Sequence, residues 1–140
     1  MEAGKQTLTL IKPPAVKHGF VGPILTRIND AGFRIAALKY VHMSLEQAEA
    51  FYEVHRGQDY FERLTRLMSS GPVVAAILEK ENAVMDYRRL IGATDPQKAD
   101  EGTLRKLFGE TVVSNAVHGS DSEENACREC DFFFSSLERF

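Results

Sequence analysis

Strand-like and helix-like segments alternate in this sequence in the order β-α-β-α-α-β-α-β-α. That order predicts an α/β (α+β) fold: a ferredoxin-like antiparallel sheet covered by helices, with an added helical hairpin and a functional loop. Three observations carry the prediction. Residues 73–78 are an unbroken apolar run of strand length, as expected for a strand buried on both faces. Val21, Ile24, Leu25 and Ile28 fall at i, i+3, i+4 and i+7, the stripe of an amphipathic helix. Ser44 and Gln47 make an S-x-x-Q capping box that opens the hairpin between two strands.

Taken in order, residues 7–12 are β-formers and predict a central strand, which Pro13-Pro14 must stop because neither can donate to a ladder. Lys12 is then the last strand residue, pointing beyond the strand's end. The helix through Val21 and Ile28 ends at Gly32, and residues 33–43 follow as a strand with Phe33, Ile35, Ala37, Lys39, Val41 and Met43 on one face. The helix opened by Ser44 carries Ala48, Phe51, Tyr52 and His55 on its inner side and stops at Gly57. A second helix, with Tyr60, Phe61, Leu64, Leu67 and Met68 as its stripe, completes a hairpin that can stand over a cleft as a lid.

After Gly71-Pro72 and the buried strand, Asn82 caps a helix with Val84, Tyr87, Leu90 and Ile91 inward and Arg88-Arg89 on another side. Gly92 ends it, and residues 93–102 form a polar loop of a length that is often functional. Residues 103–108 predict a short helix carrying Arg105, and residues 112–117 the last strand. His118 then stands where a strand hands over to a helix, residues 122–134, capped by the D-x-x-E pair Asp121 and Glu124. Ala126, Cys130 and Phe133 share one side of that helix. Free N–H groups at a helix start favour anionic ligands, and Gly119 lets the backbone turn sharply or approach a ligand closely.

Composition narrows the function classes. With 140 residues, 44% of them hydrophobic and 26% charged, the chain reads as one ordered domain, residues 1–140. A net charge of −3 offers no basic surface, so neither nucleic acid nor an anionic membrane is expected as a partner. No apolar run approaches the ~18 residues of a spanning helix. The polar start predicts no secretion signal, and two cysteines are too few for a disulfide framework. A cytoplasmic protein is the expectation. Cys127 and Cys130 form a lone C-x-x-C without the second pair of a structural zinc site, and read as packing residues. His18, His42 and His55 have no partner pattern and read as surface or packing residues.

Asn115-Ala116-Val117-His118-Gly119-Ser120-Asp121 resembles the active-site signature of nucleoside diphosphate kinases. The resemblance runs on through Ile11-Lys12-Pro13, Ser70-Gly71-Pro72-Val73-Val74 and Gly92-Ala93-Thr94-Asp95-Pro96, in order over nearly the whole chain. It implies a base-tolerant enzyme that passes the terminal phosphoryl group of a nucleoside triphosphate such as ATP to a nucleoside diphosphate such as GDP. The implied cycle is ping-pong through a phosphohistidine and maintains nucleotide pools. By this resemblance His118 is the nucleophile, suited to it because an imidazole of ordinary pKa near ~6.5 is mostly neutral at pH 7. Glu129 orients its ring, with Ser120 hydrogen-bonded to the same carboxylate. Lys12, Tyr52, Arg88, Thr94, Arg105 and Asn115 hold the polyphosphate, and the base lies between Tyr60 and Val112. Mg²⁺ bridges the phosphates with Asp121 as the nearest acid, and the chain forms a homo-oligomer, a tetramer or a hexamer.

Three positions depart from the family pattern. Pro14 stands where an acid or amide usually follows Lys-Pro, Tyr60 replaces a phenylalanine, and Glu101 sits where many relatives have proline. The chain stops soon after its last helix, which is similar to the short bacterial forms. Spacing alone makes Lys12 an edge lysine, Arg88 a solvated charge and Glu129 an exposed helix glutamate. Two rival classes are a scaffold that kept the fold and lost the reaction, and a metal module built from His118, Asp121, Cys127 and Cys130.

Overall fold

The computed structural model describes residues 4–140; the first three residues, part of the start read for a secretion signal, lie outside the described residues. Strands β1 (Gln6–Ile11), β2 (Arg34–Val41), β3 (Val73–Glu79) and β4 (Val117–Gly119) form one antiparallel sheet in the order β2-β3-β1-β4. Helices α1 (Pro13–Lys17), α2 (Val21–Asp30), α3 (Leu45–Phe51), α4 (Phe61–Met68), α5 (Ala83–Ile91), α6 (Leu104–Phe108) and α7 (Glu123–Phe133) cover it. This is the predicted fold, with α3 and α4 as the hairpin. The Ser44–Gln47 capping box closes in both directions.

The sheet is buried on both sides because its central strands offer apolar groups to both. Alternation along β1 and β3 sends Leu8, Leu10, Val73, Ala75 and Ile77 to one face and Ile11, Val74, Ala76 and Leu78 to the other. Phe51 of α3, Leu64 and Met68 of α4, and Cys130 and Phe133 of α7 close the first face. Ala15, Ile24, Ile28, Tyr87, Ile91 and Leu104 close the second. Each large side chain so buried contributes roughly 1.5–3 kcal/mol.

Several elements differ from the sequence expectation, each for a local reason. Pro13-Pro14 ends β1 but also opens α1, filling its first positions, where a missing N–H costs nothing; Lys12 is therefore a helix N-cap. In β2, Ile35 pairs with Leu78 and Ala37 with Ile77, so Ala36 is the extra residue of a bulge and the alternation from Phe33 to Met43 breaks there. Helix α3 stops at Phe51, and His55 lies in a following 3-10 turn, Glu53–His55, not on the helix's inner side. Asn82 occupies the N-cap of α5 in a left-handed conformation without a capping bond, and its amide donates to Asp86 instead (3.2 Å).

The last strand is shorter and later than predicted. Glu110 and Thr111 both donate their N–H to the Ser114 carbonyl, which closes a turn where β-propensity suggested a strand. Val117 N–H then donates to Asn115 O (3.0 Å) across Ala116, whose φ of 76° marks a tight γ-turn immediately before β4. The cap of α7 is Ser122, which accepts from the Asn125 N–H (3.1 Å); Asp121 accepts from the Asn125 side chain (2.7 Å).

Gly119 lies inside β4, not at a turn. A Cβ there would stand 3.0 Å from both Ile91 Cδ1 and Tyr87 Cδ2, so its bare backbone is what lets α5 pack against the strand beside His118. Gly119→Ala is expected to lower the unfolding free energy by about 1–3 kcal/mol, the usual cost of overpacking. Urea denaturation reads this directly, and an unchanged midpoint would show that α5 gives way freely.

Candidate active site

A cleft of about 350 Å³ lies over His118 between the hairpin, α5, the 93–102 loop and the turn before β4. Lys12, Tyr52, Tyr60, Arg88, Thr94, Arg105, Val112 and Asn115 all line it. Glu129 lies deeper, Asp121 is exposed at the edge, and Ser120 is fully buried behind. A larger hollow of about 730 Å³ near the C-terminus has its charges spent on one another, Arg34 on Glu79 and Arg139 on Asp131.

Strand register aims the histidine. His118 pairs with Leu10, so its side chain leaves the sheet on the Leu10 face, toward α3 and α7. There the edges of Phe51 and Tyr52 meet its ring at 5.3 and 5.9 Å between centroids. Its backbone is pinned from the other face: Tyr87 O–H reaches Thr9 Oγ (2.6 Å), which donates to the His118 carbonyl (2.9 Å).

Glu129 is not an exposed glutamate. It takes the i+3 place on the buried stripe of Ala126, Cys130 and Phe133, so α7 turns it into the protein at 5% exposure. His118 Nε2 and Ser120 Oγ both donate to its Oε1, each at 2.7 Å, and Ser120 Oγ accepts the Leu8 N–H (3.2 Å). Burial pushes this carboxyl up, but the bond and charge of His118, the Ser120 hydroxyl and Arg128 outweigh it and hold the group below its ordinary value. Glu129 is thus ionised and accepts from His118 Nε2–H, which leaves Nδ1 as the ring nitrogen outside that bond.

The cations are gathered at a cost. Lys12 is buried with Nζ donating to Val113 O (3.1 Å), and burial, reinforced by Arg105, pushes its pKa down to about 7. Arg105 donates to Gly92 O (3.1 Å) and Val117 O (3.0 Å), and burial lowers it to about 10. Asn115 ties the 93–102 loop to the turn before β4 by donating to Thr94 O and Val112 O, both at 3.0 Å. Tyr52 Oη, Asn115 Oδ1 and Arg105 Nε are buried without a partner. Destabilised cations and unanswered polar atoms together describe a cleft built for an anionic, hydrogen-bonding guest.

The 93–102 loop is less open than its composition suggests. Asp95 accepts from the Gln97 N–H (3.0 Å), Pro96 and Ala99 are buried, and Thr103 Oγ donates to Asp100 O (2.7 Å). The metal module is not assembled: among the described residues no group of three or more His, Cys, Asp or Glu is placed to hold an ion. Cys130 is buried, its thiol pushed up to about 12 by burial, and Cys127 receives Gln6 Nε2 at 3.4 Å. His55 was not expected here, yet it lines the cleft and meets Tyr60; no local periodicity signals a contact made across a turn.

A ferredoxin-like sheet that sets an oriented imidazole beneath a cleft lined by Lys12, Arg88 and Arg105 suits an enzyme that handles phosphate groups. The family follows from comparison with known proteins. The nucleoside diphosphate kinase family model matches residues 5–139. The chain is 52% identical over 134 residues to the nucleoside diphosphate kinase of Chlorobium limicola, covering 96% of each. It is 50% identical to that of Chlamydia caviae over 96% of this chain and 95% of the other. The solved structure of the Aquifex aeolicus enzyme superposes with a TM-score of 0.95 at 44% identity, covering 97% of this chain and 99% of that one. A halophilic relative from Halobacterium salinarum, solved in complex with CDP, gives 0.93 at 34% identity over 98% and 91%. The chain belongs to the nucleoside diphosphate kinase family, and its reaction is phosphoryl transfer between nucleotides. The scaffold reading is thereby set aside.

The Lys12 environment predicts a measurable pH dependence. Its folded pKa of about 7 lies below the ordinary 10.5, so between those values the unfolded chain binds more protons and stability rises with pH. The slope from this one group is at most about 1.4 kcal/mol per pH unit. Replacing a buried charge by a side chain of similar volume removes its desolvation cost. Lys12→Met is therefore expected to be more stable than the parent at pH 6, with the gap closing above pH 7, in denaturation series from pH 6 to 9. A constant gap would show that Lys12 keeps its proton in the fold.

Proposed function

We propose that this chain, acting as a single domain over residues 1–140, transfers the terminal phosphoryl group of a nucleoside triphosphate to a nucleoside diphosphate through a phosphohistidine on His118. The observation that carries the reading is the 2.7 Å bond from His118 Nε2 to Glu129, which leaves the Nδ1 lone pair free in a cationic cleft. In the first half-reaction the Nδ1–P bond forms as the P–O bond to the leaving diphosphate breaks, the oxygen keeping the electron pair. The diphosphate departs before the acceptor enters, and an acceptor phosphate oxygen then attacks phosphorus with Nδ1 as the leaving group. Glu129 moves no proton in this cycle: it holds the tautomer and balances the positive charge that grows on the ring as the P–N bond forms.

Lys12, Arg88 and Arg105 supply charge to the phosphates, and Tyr52, Thr94 and Asn115 supply neutral hydrogen-bonding groups. The CDP complex of the Halobacterium salinarum relative supports a nucleoside diphosphate as the guest of this cleft. Tyr60 and Val112 take the base between them by stacking and apolar contact, which tolerates many bases. Mg²⁺ fits the site as a companion of the polyphosphate. Of the two acids lining the cleft, Glu129 is committed to His118 and Ser120, so Asp121, which also accepts from Asn125, would be the protein residue to hold the ion beside the phosphates. When bound, the ion offsets negative charge on those oxygens. The same reading places a homo-oligomer, tetramer or hexamer, in the cytoplasm, where it keeps nucleoside triphosphate pools in balance.

Incubation with γ-labelled ATP and no acceptor is expected to leave acid-labile, base-stable label on the protein, discharged by added GDP. His118→Ala should take up no label while keeping nucleotide affinity; a labelled His118→Ala protein would sink the assignment. Glu129→Gln, which keeps an acceptor, should slow labelling by about tenfold or more, equivalent to about 1.4 kcal/mol, and Glu129→Ala further still. Rapid mixing measures both, and parent-like rates in the two variants would reduce Glu129 to a packing residue.

A further inference from the structure

The cleft contains a second histidine that the reaction above does not use. His55 ends the 3-10 turn after α3, and Tyr60 is the N-cap of α4. Their side chains meet with Tyr60 Oη and His55 Nδ1 2.7 Å apart and ring centroids separated by 5.6 Å. The residues between them, Arg56 to Asp59, are all exposed, and Arg56 is held by Glu53 (2.9 Å) and over the Phe61 ring (4.9 Å), contacts that do not reach the Tyr60 ring. Within the segment, Gln58 N–H donates to His55 O (3.1 Å) and Phe61 N–H to Gln58 O (3.1 Å), but these bonds fix backbone only. The Tyr60 ring packs partly buried against the core, and among the described residues the hydroxyl that sets it apart from phenylalanine is its one polar side-chain tether.

We propose that His55 is a positioning residue for the base: through the Tyr60 hydroxyl it holds the Tyr60 ring in the orientation on which the nucleobase stacks. The inference rests on the reading of Tyr60 as the base platform. A phenol is the natural donor to a neutral imidazole nitrogen, so Tyr60 O–H donates to Nδ1. Burial, with the nearby His118, holds His55 below its ordinary value against the opposing pull of Asp121 and Glu129, which keeps the acceptor lone pair available at neutral pH. Two consequences follow from the geometry. The ring's rotamer is fixed before the nucleotide arrives, so binding does not have to order it. The hydroxyl is also occupied, so it is turned to His55 and not to base edges, and its removal should affect purines and pyrimidines alike.

The test uses the full-length chain, with dissociation constants for purine and pyrimidine diphosphates from calorimetry and kcat from steady-state assays. Tyr60→Phe and His55→Ala are each expected to weaken binding of every diphosphate by about 2- to 12-fold, the scale of ordering one side chain, while in His55→Ala kcat changes by less than about twofold. The double variant should be no weaker than either single one, because both remove the same bond. His55→Gln, which retains an acceptor, should bind like the parent. Thermal melting of each variant identifies any that fail to fold, and the His55 ring-nitrogen NMR signals of the parent and Tyr60→Phe report the bond independently. Additive losses in the double variant, unchanged affinity in Tyr60→Phe, or a loss confined to one class of base would overturn the inference. Tyr60→Ala separates the two levels. If it leaves affinity unchanged, the platform reading itself fails; if it weakens binding where Tyr60→Phe does not, only the role of His55 falls.

Discussion

The contact on which the rest of the structure depends is the pair of hydrogen bonds that His118 and Ser120 make to one oxygen of Glu129. A buried carboxylate costs several kcal/mol of lost hydration and persists only where its neighbours satisfy it. Satisfying this one requires three elements at once: α7 to carry the acid inward, β4 and the residue just after it to present the imidazole and the hydroxyl, and β1 to complete the serine through Leu8 N–H. Packing of the helix on the sheet and orientation of the nucleophile are therefore the same event. Phe51 and Tyr52 pack edge-on against the imidazole from the hairpin side, so the ring is held by these contacts as well as by the Glu129 bond.

Around that fixed centre the cleft is a region of deliberate instability. Burial lowers the pKa of both Lys12 and Arg105, Arg105 adds to the lowering of Lys12, and among the described residues neither has a carboxylate within salt-bridge distance. Ala116 holds a backbone conformation that residues with a side chain seldom adopt, immediately before the strand that bears the histidine. Such groups cost folding energy, and on the proposed reading an arriving polyphosphate would offset the part that comes from the buried cations. Rigidity here comes from backbone carbonyls: Arg105 is tied to Gly92 and Val117, and Asn115 to Thr94 and Val112.

Most of the fold was legible because its signals are local. The buried run of β3, the stripe of α2 and the Ser44–Gln47 box each follow from a few adjacent residues. What escaped was decided by contacts at a distance or by one signal with two meanings. Pro13-Pro14 reads as a stop and is also a helix start; the β-formers before Ser114 were overruled by a turn that only the folded loop closes. Site identities came from motif resemblance, and the twelve predicted positions converge on one place, eleven lining the cleft and Ser120 behind it. The chemistry of those positions was not in the motif. The tautomer of His118, the lowered Lys12 and the pairing of His55 with Tyr60 depend on burial and on which atom faces which. Glu129 carried a usable signal that spacing supplied: it is an acid at the i+3 place of an apolar stripe, where a merely solvated glutamate does not belong.

The two ends of the cleft differ physically, and that difference bears on base tolerance. Rejecting a wrong base strongly requires buried polar groups that go unpaired when the wrong edge is presented. The buried unpartnered atoms here belong to Tyr52, Arg105 and Asn115, all assigned to the phosphates, which every nucleotide shares. The end assigned to the base offers Val112, half exposed at 51%, and a tyrosine whose hydroxyl is already bonded to His55. Such a surface gains from any flat ring and loses little when one ring replaces another. On the proposed reading, specificity would thus be concentrated where the substrates are identical and withheld where they differ, as an exchange of phosphoryl groups among many nucleotides would require.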